Sequence, residues 1–254
     1  MKKLMIAAMA MAAGAAFADT EIASANVVGY QNKEIGKFNL TAQTFVKCNA
    51  SEDVTFGDIK PNDNFISGGT IQLFTSEGKA GDVLVYVNDP DLLEAFEAEE
   101  GWYLFTDEEL TDPKNETVIG YANGFVSKAP LVGSELTYAG AVKTGETEIP
   151  VGKFTLTGNC LPENLTLADI TPNENFISGG TIQFFTNQGK AADVLVYVND
   201  PDLLEAFEAE EGWYLFTDEE LTDPKNGTAV NAGDVFVAKA PLAGSTLTLK
   251  AIVQ

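Results

Sequence analysis

One stretch occurs twice in this chain without a change. Residues 82–115 read DVLVYVNDPDLLEAFEAEEGWYLFTDEELTDPKN, and residues 193–226 repeat them letter for letter. Self-similarity of this length is the signature of a duplicated architecture. The likeness continues beyond the identical segment. From Asp58 onward the offset is 111 residues, matching Pro61 to Pro172, Gly68-Gly69 to Gly179-Gly180, Trp102 to Trp213 and Phe125 to Phe236. Earlier, Gly36-Lys37-Phe38 matches Gly152-Lys153-Phe154 at an offset of 116, which leaves five extra residues in the Gln43 to Ser51 region of the first repeat. That region reads as a loop. Each unit has about 110 residues, enough to bury a core of its own. The joint, Lys143 to Thr147, is short and polar, so the units should sit close together. The sequence therefore predicts two tandem domains, 19–143 and 144–254.

Within a repeat the texture is β. Asn26–Tyr30, Phe38–Thr41, Thr70–Thr75, Val83–Val87, Trp102–Thr106, Phe125–Ser127 and Leu136–Val142 read as short strands separated by turn residues. The turn Ser76–Lys79 makes a hairpin of Thr70–Thr75 and Val83–Val87, and the apolar run of the latter reads as buried on both faces. Strands at this spacing predict an all-β chain, each unit a small β-sandwich or barrel. One short helix per unit is expected. Asn88-Asp89 can cap it, Pro90 suits its first position, Leu92, Leu93 and Phe96 share a face, and Gly101 ends it. Its last turn carries Glu97, Glu99 and Glu100 against the macrodipole, so it should fray unless packing or a cation holds it.

Residues 1–18 have the three parts of a signal peptide: Lys2-Lys3, the apolar Leu4–Met11, and the cleavage site Ala16-Phe17-Ala18. The chain is thus expected to be exported, to the cell surface, periplasm or extracellular space, with no membrane span after cleavage. Such a compartment permits a disulfide between Cys48 and Cys160; two isolated buried thiols are the alternative.

Charge narrows the chemistry. There are 38 acidic residues against 15 basic ones, every cation is lysine, and histidine is absent, giving a net charge of −23. Nucleic-acid binding needs a basic footprint and is excluded. Lack of arginine removes the bidentate fork for carboxylates and phosphates, and lack of histidine removes the usual proton shuttle and most nucleophilic triads. No Walker, dinucleotide or G-x-S-x-G pattern is present. A glycoside hydrolase needs only two carboxylates and stays the least favoured alternative, but so short a repeat offers no deep cleft, and the chain reads as a non-enzyme.

Two binding sites are readable. Carboxylates and amides dense near turns could hold calcium, which takes six to eight oxygens. The candidates are Asn88, Asp89, Asp91, Asp107, Glu108 and Asp112, repeated as Asn199, Asp200, Asp202, Asp218, Glu219 and Asp223. Without calcium, they form a solvated acidic face. The aromatic pairs Trp102-Tyr103 and Trp213-Tyr214 lie among acids and could stack on a glycan; the alternative is that they pack in the core.

Ser24-Ala25-Asn26-Val27-Val28-Gly29-Tyr30 followed by Gly36-Lys37-Phe38-Asn39-Leu40 resembles the repeats of a loosely defined group of exported bacterial β-repeat proteins. Those repeats open with an ANVVGY-like strand and an F-x-L strand. They continue with a hairpin and a Trp strand and close on glycine with Phe-Val, here Gly124-Phe125-Val126 and Gly233-Asp234-Val235-Phe236-Val237. The second repeat departs from the pattern, with Glu148-Ile149-Pro150-Val151 in place of the opening strand. The resemblance implies an exported β protein and no particular activity. The expected role is a structural or interaction protein presenting two equivalent acidic surfaces to an extracellular protein, a glycan or another copy of itself.

Overall fold

The computed structural model describes residues 27–42, 45–46, 54–75, 77–119, 123–142, 145–185 and 190–250. The predicted signal peptide and Cys48 lie outside them; Cys160 is buried in the second repeat. The first repeat runs β1 (Val27–Ile35), β2 (Asn39–Ala42), β3 (Phe45–Val46), β4 (Val54–Thr55), β5 (Ile59–Pro61), α1 (Asp63–Ile66), β6 (Thr70–Phe74), β7 (Ala80–Val87), α2 (Pro90–Phe96), β8 (Gly101–Leu104), β9 (Val118–Ile119), β10 (Gly124–Lys128) and β11 (Ser134–Val142). The second runs β12 (Thr147–Val151), β13 (Thr155–Gly158), β14 (Leu165–Thr166), β15 (Ile170–Pro172), α3 (Glu174–Ile177), β16 (Thr181–Phe185), β17 (Ala191–Val198), α4 (Pro201–Phe207), β18 (Gly212–Leu215), β19 (Ala229–Val230), β20 (Val235–Lys239) and β21 (Ser245–Leu249).

The chain is all-β and built twice. Each repeat has a five-stranded antiparallel sheet, β2-β10-β6-β7-β8 and β13-β20-β16-β17-β18. A smaller sheet surrounds a central strand: β1 and β5 flank β11 with β3 beside it, and β12 and β15 flank β21. Short ribbons β4-β9 and β14-β19 complete the set. Both sheets of a repeat close on one core. Ile71, Trp102 and Phe125 of the larger sheet cluster with Ile35, Ile59 and Leu136 of the smaller. In the second repeat Ile182, Trp213 and Phe236 meet Val151, Ile170 and Leu247. Each tryptophan is fully buried, and its indole N–H donates to a carbonyl across the core, Ile59 at 3.1 Å and Ile170 at 2.9 Å.

Three local expectations are corrected. β7 is not buried on both faces: Leu84 and Tyr86 enter the core while Val83, Val85 and Val87 are half-buried. The second repeat does have an opening strand, because β12 pairs with β21 from Thr147↔Leu249 to Val151↔Ser245. Pro150 fits there since β12 is an edge strand and loses no ladder bond on its free side. The helix, finally, stops at Phe96, where Glu97 adopts a left-handed conformation at φ 51°, rather than at Gly101.

Among the described residues no sheet mixes the repeats, yet they pack on each other. Leu40 and Phe74 of the first lie in one cluster with Phe154, Leu156, Phe185, Val235 and Val237 of the second. Leu40 and Leu156, like Phe74 and Phe185, are equivalent positions of the two repeats. The seam is therefore isologous: the same surface of each unit meets its copy, as in a symmetric dimer.

Candidate functional site

The identical segment folds identically. In the first repeat Asp89 caps α2, its carboxylate accepting from Asp91 N at 2.9 Å and Leu92 N at 3.3 Å; Asp200 does the same for α4. Helix and acidic loop flank the buried strand that joins them. The loop is latched from within. Asp107 accepts from Asp112 N at 3.0 Å and from the Thr111 hydroxyl at 3.3 Å. These bonds, the Asp112 N–H first, hold the Asp107 carboxyl below its usual range, and Asp218 is held low in the same way. Asp112 pairs with Lys114, and Asp223 with Lys225.

The loop then closes over the outer edge of β8. Lys114 N donates to Trp102 O at 2.7 Å, and Asn115 Oδ1 accepts from Trp102 N at 2.9 Å. The edge is thereby paired and does not offer itself to another strand. Gly101 makes this fit: a Cβ there would stand 2.2 Å from Asn115 Nδ2.

The calcium candidates are thus placed on separate tasks. Asp89 and Asp200 cap helices, Asp107 and Asp218 hold backbone, and Asp112 and Asp223 face lysines. Asp91, Glu108, Asp202 and Glu219 are exposed, and Asn88 and Asn199 precede the caps. Among the described residues no three acidic, histidine or cysteine side chains gather as a metal site. The aromatic pairs take the alternative given for them and pack in the core. Trp102, Tyr103, Trp213 and Tyr214 are all at most 1% exposed, so no ring face is open to a sugar. The tyrosine hydroxyls are occupied as well, donating to Glu99 O and Glu210 O at 2.6 Å.

A different set of side chains faces outward. α2 buries no residue. Leu92 and Phe96, one turn apart on one face, are 46% and 43% exposed, and Phe105 just beyond β8 is 67% exposed. In the second repeat Leu203, Phe207 and Phe216 are 45%, 43% and 66% exposed. Exposed acids surround them in sequence: Asp91, Glu94, Glu97, Glu99, Glu100, Glu108 and Glu109 in the first repeat. Periodicity concealed these positions, because an amphipathic helix next to a sheet is read as packing its apolar face inward. The usable signal was the absence of any lysine among the acids of the helix.

Comparison with protein-family models, curated proteins and solved structures finds no match to this chain.

Proposed function

We propose that this is an exported interaction protein of the cell surface, periplasm or extracellular space. It uses two equivalent platforms to hold a partner that is both cationic and apolar. The carrying observation is that each repeat turns the same three large apolar side chains outward to the same extent, within a strongly acidic segment. A contiguous patch of large apolar groups left in water marks a contact surface. The surrounding carboxylates steer cations and repel other acids, which favours a basic partner. Two copies of one surface on one chain also suit a repeating or divalent partner, whose second contact gains from effective concentration.

The reading predicts binding of a helical lysine-leucine peptide at two like sites per chain, weakening with salt. Phe96→Ser with Phe207→Ser should lower affinity at least tenfold and leave the melting temperature unchanged, since neither ring supports the core. Calorimetry that finds no binding, or finds the double variant as strong as the parent, removes the proposal.

A further inference from the structure

The seam between the repeats contains two related hollows. One, of about 360 Å³, lies among Leu73, Phe74 and Phe125 of the first repeat and Phe154 and Leu156 of the second. Its exposed lip carries Thr75, Val118, Asn123 and Pro150. The other, of about 350 Å³, occupies the equivalent place. Phe184, Phe185 and Asp234 there stand 111 residues beyond Leu73, Phe74 and Asn123, while Asn39 and Leu40 stand 116 before Thr155 and Leu156.

The two differ in charge. Lys33 and Asp234 line the second hollow, and Lys33 Nζ donates to Leu40 O at 3.0 Å. At the first, Asn123 replaces the aspartate, and the residue matching Lys33 is the core residue Ile149. Among the described residues that line the first hollow, none has an ionisable side chain. In a chain of net charge −23, a concave surface free of charge is a selective one.

We infer that the first hollow is a binding site for a small uncharged molecule with an aromatic or alicyclic body and one or two hydrogen-bonding groups. Its volume falls within the range of small-molecule sites, which favour domain interfaces. Phe74 and Phe154, their ring centroids 6.1 Å apart, supply ring walls from opposite repeats. Thr75, Asn123 and Thr155 offer neutral polar groups near the lip. A charged ligand would be stripped of water against a lining with no counter-charge, and an anion would also meet the field of the whole chain. The shape is preset by close backbone approach. A Cβ at Gly124 would stand 2.8 Å from Leu156 Cγ, and one at Gly78 would stand 2.6 Å from the Phe154 ring. Rigid walls lower the ordering cost of binding.

The test uses the neutral dye N-phenylnaphthylamine, followed by its fluorescence in the purified protein. One saturable site per chain is expected. Asn123→Trp fills the lip from an exposed position and should weaken binding at least tenfold without lowering the melting temperature. Thr75→Trp, also on the lip, should act alike if the first variant is unstable. Phe96→Ser with Phe207→Ser should leave dye binding intact. Two sites per chain, loss on the platform variant, or insensitivity to both tryptophan substitutions would place the dye elsewhere and overturn the assignment, as would no saturable binding.

Discussion

At the scale of single residues, the phenols of Tyr86 and Tyr197 tie the helix connection to the core. Tyr86 donates to Glu100 Oε1 at 2.8 Å while its ring meets Trp102 edge-on at 5.2 Å. Tyr197 repeats the arrangement with Glu211 at 2.9 Å and Trp213 at 5.3 Å. Burial, and then the neighbouring carboxylate, push each phenol up to about 12. The folded value lies above the ordinary 10.0, so each phenol contributes its full stability below pH 10. That contribution is lost as pH rises from about 10 to about 12. Tyrosinate absorbance should show two of the seven tyrosines ionising near pH 12, with the denaturation midpoint falling over the same window. Glu100→Gln should bring Tyr86 only partway down, because burial is the larger cause. Normal titration of both phenols in the folded protein would show these pairs to be absent in solution.

At the scale of elements, the most specific device is the loop clamped on β8. Gly101 and Asn115 depend on each other, since the amide occupies the space where a side chain at residue 101 would stand. Gly101→Ala should displace the amide, strip Trp102 N of its acceptor and cost about 1–3 kcal/mol. Asn115→Ala should cost a similar amount. The double variant should cost clearly less than the sum, because the alanine methyl then meets an empty space. Urea denaturation of the four proteins measures this, and strict additivity would refute the contact. The same residues show what sequence reading captures. Asp89-Pro90 announces the helix start because a cap is a local matter. Gly101 misleads as its end, because its need for space comes from Asn115, 14 residues away in sequence. The core strands are legible from alternation, whereas Pro150 obscures β12, whose edge position is a property of the sheet.

At the scale of the whole molecule, duplication was plain in the letters and the seam was not. Leu40, Phe74, Leu156 and Val235 look like ordinary strand residues, and only the packing shows that they face the other repeat. Leu156 is the discriminating position. It is 7% exposed and belongs to the seam cluster, while the core of its own repeat is a separate cluster around Trp213. A carboxylate placed there is stripped of water among apolar side chains, and Leu156→Asp should cost about 3 kcal/mol or more of coupling. The loss should fall on the joint and not on either core. A single cooperative melt should split into two, small-angle scattering should show a larger radius, and Trp213 fluorescence should stay native until the second transition. Leu247→Asp, fully buried in the second core, supplies the contrast: it should expose Trp213 outright. If Leu156→Asp leaves one sharp transition and an unchanged radius, the repeats are not coupled through this seam. The hollow assigned to a neutral ligand would then lose its second wall, so both conclusions stand on the contact between Leu156 and the backbone at Gly124.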